Sequence, residues 1–106
     1  MSRRTIAIAA ALSVLALGSP LITANANPLA RQYYDQGFDK YDAGNYQGAT
    51  DDYTKTIEID PQYELFYTLR VSAREKTNDL VGACLDWRKA KDLGLELPAG
   101  YLESVC

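Results

Sequence analysis

This chain of 106 residues contains no histidine. Its absence excludes Ser-His-Asp and Cys-His catalytic arrangements and the common zinc sites. A glycine-rich phosphate loop and a dinucleotide fingerprint are also missing, and the two cysteines, Cys84 and Cys106, are too far apart for a Cys-x-x-Cys redox or metal motif. Paired carboxylates could serve a glycosidase, but we expect the acidic residues on exposed helical positions. The sequence therefore predicts a non-enzyme without cofactor or metal.

Long apolar runs are absent except near the N-terminus. Arg3 and Arg4 precede an almost wholly apolar run from 6 to 17, and the small residues of Ala24-Asn25-Ala26 follow. This order is typical of a secretory signal peptide spanning residues 1–26. A membrane anchor is the alternative, but about a dozen apolar residues fall short of the ~20 that span a bilayer. The paired arginines also leave a twin-arginine export route open.

Export predicts a periplasmic or other extracytoplasmic protein without stable membrane insertion after cleavage. Removing residues 1–26 takes away two basic residues and leaves 9 basic against 14 acidic, a net charge of −5. Such an acidic domain repels phosphate backbones, so nucleic-acid binding is disfavoured. The remaining 80 residues are close to the lower limit for a self-sufficient core.

Both cysteines lie in the exported part, where a disulfide can form and persist. A bridge between Cys84 and Cys106 would close a loop of 22 residues and contribute about 3 kcal/mol in the loop-entropy model. Two inert buried thiols, or an intermolecular bridge from Cys106, are the alternatives.

The sequence repeats itself at an offset of 34 residues, and the matches include buried and exposed residue types. The matching pairs are Tyr33 with Tyr67, Tyr46 with Leu80, Gly48-Ala49 with Gly82-Ala83, Asp52-Tyr53 with Asp86-Trp87, Lys55 with Lys89 and Ile59 with Leu93. Each unit reads as two helices at the spacing of an amphipathic pattern. We expect helices over 28–43, with Asn27 as the cap and Pro28 at the first position, and over 46–59, 62–76 and 80–93, with a last short helix that opens at Pro98.

This pattern resembles the tetratricopeptide repeat (TPR) over almost all of the exported part. The first unit has the family's Tyr33, Gly37, Ala49, Tyr53 and Pro61, and the second keeps Tyr67, Ala83, Trp87 and Ala90. Gln36 and Lys40 depart from the pattern in the first unit, as do Val71, Asn78 and Leu95 in the second. The segment around Cys84, with the final Cys106, is also similar to the closing repeat of small exported bacterial TPR proteins, which supports the bridge.

The resemblance implies an all-α, right-handed array of helical hairpins, with repeats at 27–61 and 62–95 and a capping helix at 96–106. In that array the small residues allow close helix packing, and Tyr53 and Trp87 fill the space between layers. The first helix of each unit would line a concave groove. The groove positions are Arg31, Tyr34, Phe38, Tyr41, Leu65, Thr68, Ser72 and Glu75, with Asp42 and Lys76 beside them.

The expected function is protein–protein interaction, with a peptide or partner helix in this groove. Tyr34 is expected to be the most exposed of the aromatic residues, because Tyr33 takes the buried family position; Phe38 and Tyr41 could equally pack in the core. Few basic groups face the groove, so a carboxylate clamp is not expected. The protein would act as a monomer or as a member of a larger complex.

Two alternatives stay open at this point. Tyr34, Phe38 and Tyr41 would form an aromatic strip along the groove, and this strip could bind a carbohydrate or a small cation. The acidic residues Asp51, Asp52, Glu58 and Asp60 could form a docking patch, although such charges more often belong to a solvated helix face.

Overall fold

A computed structural model describes residues 27–106. These residues form five helices and no strand. The helices are α1 (Pro28–Asp42), α2 (Tyr46–Ile59), α3 (Glu64–Lys76), α4 (Leu80–Asp92) and α5 (Tyr101–Val105). The all-helical prediction is confirmed for this part of the chain, while the predicted signal peptide lies outside the described residues.

Polar caps fix where three of the helices begin. Asn27 precedes Pro28, and its Oδ1 accepts hydrogen bonds from the backbone N–H groups of Leu29 and Ala30 at 3.0 and 3.1 Å. Asn45 and Asp79 accept from the N–H groups three residues on, each at 3.0 Å. These bonds satisfy donors that the first helical turn leaves without partners.

Two predicted helix starts are wrong. Helix α3 begins at Glu64 rather than at residue 62, because Tyr63 is extended, with φ −104° and ψ 119°, and residues 61–62 form a turn. Helix α5 begins at Tyr101 rather than at Pro98, because Gly100 has a left-handed φ of 79°. A left-handed residue cannot continue a right-handed helix, so residues 98–100 form a turn ahead of α5 instead of its first turn.

The 34-residue offset of the sequence recurs in local structure. Lys40 pairs with Asp52 at 2.9 Å, and 34 residues later Arg74 pairs with Asp86 at 2.8 Å. The turn residue Gly44 has a φ of 83°, and its equivalent Asn78 has a φ of 64°. Asparagine tolerates this left-handed conformation better than most residues, which explains how the second turn forms without glycine.

Consecutive helices pack against each other along the described chain, with α5 resting more lightly on α4. In the first core cluster, Tyr53 of α2 is 1% exposed and packs with Ala49 and Ala73. A Cβ added to Gly37 would lie 2.6 Å from the Tyr53 ring, so α1 approaches this ring closely because position 37 has no side chain. The tyrosine therefore ties α1, α2 and α3 together.

A second cluster lies further along the chain and joins α2, α3 and α4. It is formed by Ile57, Tyr67 and Ala90. Trp87, the equivalent of Tyr53, is half-buried, and its ring meets that of Tyr101 edge to face at 5.6 Å. Tyr53 of α2 and Trp87 of α4 thus each contact the next helix along the chain.

Asp52 and Asp86 are buried, so the expectation that all acidic residues lie on exposed positions is wrong. Asp86 is 2% exposed and receives the Arg70 guanidinium through two bonds of 2.6 and 2.8 Å, together with Nη1 of Arg74 at 2.8 Å. Paired cations offset the cost of burying the carboxylate. These pairs join α3 to α4, as Lys40 and Asp52 join α1 to α2.

Cys84 and Cys106 form a disulfide, with their Cα atoms 5.4 Å apart. The predicted intramolecular pairing is confirmed, and neither thiol is free. The bridge fastens the C-terminal end of the chain to α4. Within residues 27–106, no helix has the length and apolar character needed to cross a membrane.

Candidate functional site

A groove runs between α1 and α3, and Tyr53 of α2 forms part of its lining near the centre. It contains two pockets in series. The N-terminal pocket has a volume of about 230 Å³ and is lined by Asn27, Ala30, Arg31, Tyr34, Asp60, Leu65 and Phe66. The central pocket has a volume of about 120 Å³ and is lined by Phe38, Tyr41, Tyr53, Leu69 and Ser72.

Six of the eight residues predicted for the groove line one of these two pockets. Arg31, Tyr34 and Leu65 line the N-terminal pocket, and Phe38, Tyr41 and Ser72 line the central one. The other two, Thr68 and Glu75, line neither. The Thr68 hydroxyl donates to the backbone carbonyl of Leu65 at 2.8 Å, and Glu75 is exposed one turn beyond the central pocket.

Aromatic contacts hold the two sides of the groove at their observed separation. The Tyr34 ring meets Phe38 on its own helix at 5.2 Å and Phe66 of α3 at 5.8 Å. Phe66 in turn meets Tyr63 at 5.5 Å. Such pairs add about 0.5–1.5 kcal/mol each beyond the area they bury, so the N-terminal pocket has walls that support each other.

Phe38, and not Tyr34, is the most exposed aromatic residue of the groove. Phe38 is 40% exposed, whereas Tyr34 is half-buried between Phe38 and Phe66. The expectation for Tyr34 is wrong because Tyr33 does not take a fully buried place: it is itself half-buried, with the Lys55 ammonium 5.8 Å from its ring centre. Tyr33 and Tyr34 are therefore both partly buried, whereas the sequence predicted a buried Tyr33 and an exposed Tyr34.

Tyr41 has both of the roles that the sequence left open. Its ring packs edge to face on Tyr46 at 5.0 Å and contacts the first core cluster, and it also lines the central pocket. Truncating this side chain would therefore alter the core as well as the groove. Phe38 is the better probe of the groove, because its ring is largely on the surface.

The floor of the central pocket is neutral. Burial, together with smaller contributions from the neighbouring Tyr34 and Asp42, raises the pKa of the Tyr53 hydroxyl to about 12. The phenol is therefore uncharged at ordinary pH. Arg31, which lines the N-terminal pocket, forms an exposed pair with Asp35 at 3.4 Å, and such pairs contribute little to stability. Arg31 therefore remains free to turn toward a ligand.

The groove prediction did not include six of the residues that line the two pockets: Asn27, Ala30, Tyr53, Asp60, Phe66 and Leu69. Leu69 could have been found, because Leu65, Leu69 and Ser72 follow helical spacing along one face of α3. Phe66 lies beside Tyr67, whose ring is buried against the second core cluster, and the sequence alone does not show that α3 turns Phe66 toward α1.

Of the acidic residues predicted as a docking patch, Asp51 and Glu58 line one surface pocket of α2, whereas Asp52 is buried and Asp60 lies after the helix, beside the N-terminal pocket. Asp51 and Glu58 are exposed, Asp52 is buried against Lys40, and Asp51 accepts a hydrogen bond from the Gln47 amide at 3.1 Å. No group of three or more His, Cys, Asp or Glu side chains in residues 27–106 is arranged to hold a metal ion.

Comparison with known proteins found no matching family model, no matching curated protein and no matching solved structure.

Proposed function

We propose that this protein is an exported interaction module of the TPR type, which binds an extended peptide or a partner helix in the groove between α1 and α3. The observation that carries the proposal is the pair of pockets in series, each with walls from both helices. Pockets that are mainly apolar, with a few polar groups at the edge, are what peptide anchors require.

The spacing of the pockets indicates what the partner presents. Ala30, Arg31 and Tyr34 of α1 line the N-terminal pocket, and Phe38 and Tyr41 line the central one. The middles of these two sets are about eight positions apart, and a rise of 1.5 Å per residue separates the pockets by about 12 Å along the helix. Two apolar side chains of the partner at that separation would fill both pockets. Arg31 and Ser72 supply a cation and a hydroxyl beside them.

Three features of the chain support the TPR assignment. The 34-residue repeat carries the family's residue types, the ion pairs and caps recur at that offset, and consecutive helices pack in order. The disulfide is consistent with a compartment outside the cytoplasm. In this proposal the protein acts by binding and carries out no catalysis.

The carbohydrate alternative is less favoured by the shape of the aromatic strip. Sugar rings stack on open, flat aromatic faces, but the Tyr34 and Phe38 rings are tilted by 79° to each other. The strip therefore offers edges and one partly covered face instead of a continuous platform. Glycan titration followed by tyrosine fluorescence, with Tyr34→Ala as the control, separates this alternative from peptide binding.

A random-sequence peptide library selected on the oxidised protein tests the proposal. Selected peptides should shift backbone NMR signals of α1 and α3. They should also bind Phe38→Ala at least about tenfold more weakly, because truncating an aromatic anchor at the centre of an interface costs about 2 kcal/mol or more.

Leu29→Ala is the matched control, since Leu29 is 49% exposed on the same helix but lines neither pocket. It should bind the selected peptides as the unchanged protein does. Peptides that bind Phe38→Ala with full affinity, or that shift signals only elsewhere, would contradict the groove assignment.

A further inference from the structure

The central pocket of the groove has a different lining from the N-terminal pocket. Three of its five lining residues are aromatic, and the set is Phe38, Tyr41, Tyr53, Leu69 and Ser72. Among these described residues there is no lysine or arginine, whereas Arg31 lines the N-terminal pocket. The central pocket is also the smaller of the two, at about 120 Å³ against about 230 Å³. A slender side chain therefore fits it better than a large ring.

A hydroxyl group stands at the floor of this pocket. Tyr53 is 1% exposed and lines the pocket. The outer part of its ring lies against Gly37 of α1, where an added Cβ would stand 3.1 Å from Cζ, so the hydroxyl reaches the space between α1 and α3. Within residues 27–106 this hydroxyl takes part in no hydrogen bond. Buried polar groups are nearly always hydrogen-bonded, so this one favours a ligand with a polar end.

The electrostatic field at that hydroxyl is negative. Burial is the largest cause of the raised pKa of Tyr53, and the carboxylates of Asp42 and Asp52 raise it further, while no cation of the described chain lowers it. Glu75 adds an exposed carboxylate one turn after Ser72. A pocket in a negative field attracts a positively charged group.

The two lysines that flank this end of the groove do not occupy the pocket. Lys40 pairs with the buried Asp52 at 2.9 Å. The Lys76 ammonium lies 5.8 Å from the ring centre of Tyr46, whose ring meets that of Tyr41. Neither lysine lines the pocket, and the Lys76 contact shows that the aromatic cluster at this end accepts an ammonium group.

We propose that the central pocket binds a lysine side chain of the partner. This inference rests on the proposed peptide-binding function and names the side chain that the second pocket takes. The aliphatic stem of lysine supplies the apolar anchor, and its ammonium lies among the aromatic rings. The ammonium donates to the hydroxyl oxygens of Tyr53 and Ser72, and Asp42 at the rim balances its charge. The net charge of −5 on residues 27–106 favours a basic partner as well.

Peptides selected from the random-sequence library on the oxidised protein test this proposal. Most of them should contain a lysine whose Hε protons show intermolecular NOEs to the ring protons of Phe38 and Tyr41. Replacing that lysine by norleucine keeps the aliphatic stem and removes the charge. The norleucine peptide should bind about threefold more weakly or worse, and the difference should shrink as the salt concentration rises.

Two variants of the pocket separate the charge from the apolar contact. Phe38→Leu keeps an apolar side chain but removes a ring, and Asp42→Asn removes the rim charge at nearly constant size. Each should weaken the lysine peptide about threefold to tenfold and change its norleucine counterpart much less. Asp51→Asn is the matched control, because it makes the same change of charge on α2, outside both groove pockets. It should leave both peptides nearly unaffected.

The outcomes separate this inference from the function on which it rests. Selected peptides that lose affinity for Phe38→Ala but place no lysine in the central pocket would overturn the inference and leave the proposed function standing. Equal affinity of the lysine and norleucine peptides would overturn it as well. Peptides that ignore Phe38→Ala would overturn both.

Discussion

At the scale of single residues, the buried carboxylate of Asp86 forms ion pairs with two arginines. Arg70 and Arg74 are only 13% and 22% exposed, so neither can recover full hydration if the anion is lost. Asp86→Asn should therefore lower the free energy of unfolding by about 3–5 kcal/mol, the range seen when one partner of a buried pair is removed. Urea unfolding followed by circular dichroism measures this loss.

Asp52→Asn is the matched control for that experiment. Its partner Lys40 is 43% exposed and can turn to water when the carboxylate is gone. The loss at position 52 should be clearly smaller than at position 86. Equal losses would show that the exposure of the cation does not decide the cost.

The raised pKa of Tyr53 predicts how the free energy of unfolding changes at high pH. Burial raises its folded-state pKa from 10.0 to about 12, so the unfolded chain loses this proton first as the pH rises. The stabilisation is fully present below about pH 10 and is lost between about pH 10 and 12, at most about 2–3 kcal/mol. Urea unfolding of Tyr53→Phe should show a shallower decline over this window, while lysine titration affects both proteins alike. Parallel declines would contradict the assignment.

The burial of Asp52 and Asp86 was the main error made from the sequence at this scale. Charged residues are usually exposed, and the cations that pair with them lie 12 to 16 residues earlier, on another helix. A signal was nevertheless present: Asp86 lies three residues after Ala83 and four before Ala90, on the stripe that α4 buries.

At the scale of helices, the boundaries were predictable where a residue forces them. The sequence predicted both bounds of α2 correctly. Asn45 caps its start, and Asp60 ends it because the residue before Pro61 resists helical geometry. Residues 98–100 lack such a signal. Pro98 permits a helix to start, but the left-handed Gly100 delays it, and the sequence does not say which of the two prevails.

Helix α5 is held to the rest of the described chain mainly by the disulfide. It spans five residues, buries none of them, and meets the rest of the described chain mainly at α4. Replacing both cysteines by serine should lower the free energy of unfolding by about 3 kcal/mol and release α5. Trp87, the only tryptophan of the chain, should then lose its Tyr101 neighbour, and its fluorescence should shift to the red.

Tyr101→Ala with the bridge intact separates the two effects. It removes the same ring from Trp87 while the chain stays closed at Cys106. It should shift the fluorescence but cost much less stability than the serine variant. An unchanged spectrum in the serine variant would mean that α5 remains docked without the bridge.

At the scale of the whole molecule, the sequence predicted which residues come together better than it predicted the exposed fraction of each side chain. The resemblance to the TPR family placed eight residues in a groove, and six of them line the two pockets between α1 and α3. It did not reveal that Phe66 and Tyr34 meet across the groove or that Phe38 stays exposed. Those details depend on helix rotation, which a periodic pattern fixes only to within part of a turn.

Packing in series also predicts an uneven distribution of local stability. Helix α2 buries six residues and packs against both α1 and α3, whereas α5 buries none. Amide hydrogen exchange should therefore be slowest in α2 and the facing part of α3, faster in α1 and α4, and fastest in α5. Reducing the disulfide should speed exchange in α5 and along α4 but leave α1 and α2 nearly unchanged, because each helix depends mainly on its neighbours. Uniform acceleration along the chain would show instead that the described helices unfold as one cooperative unit, and that the bridge acts on all of them.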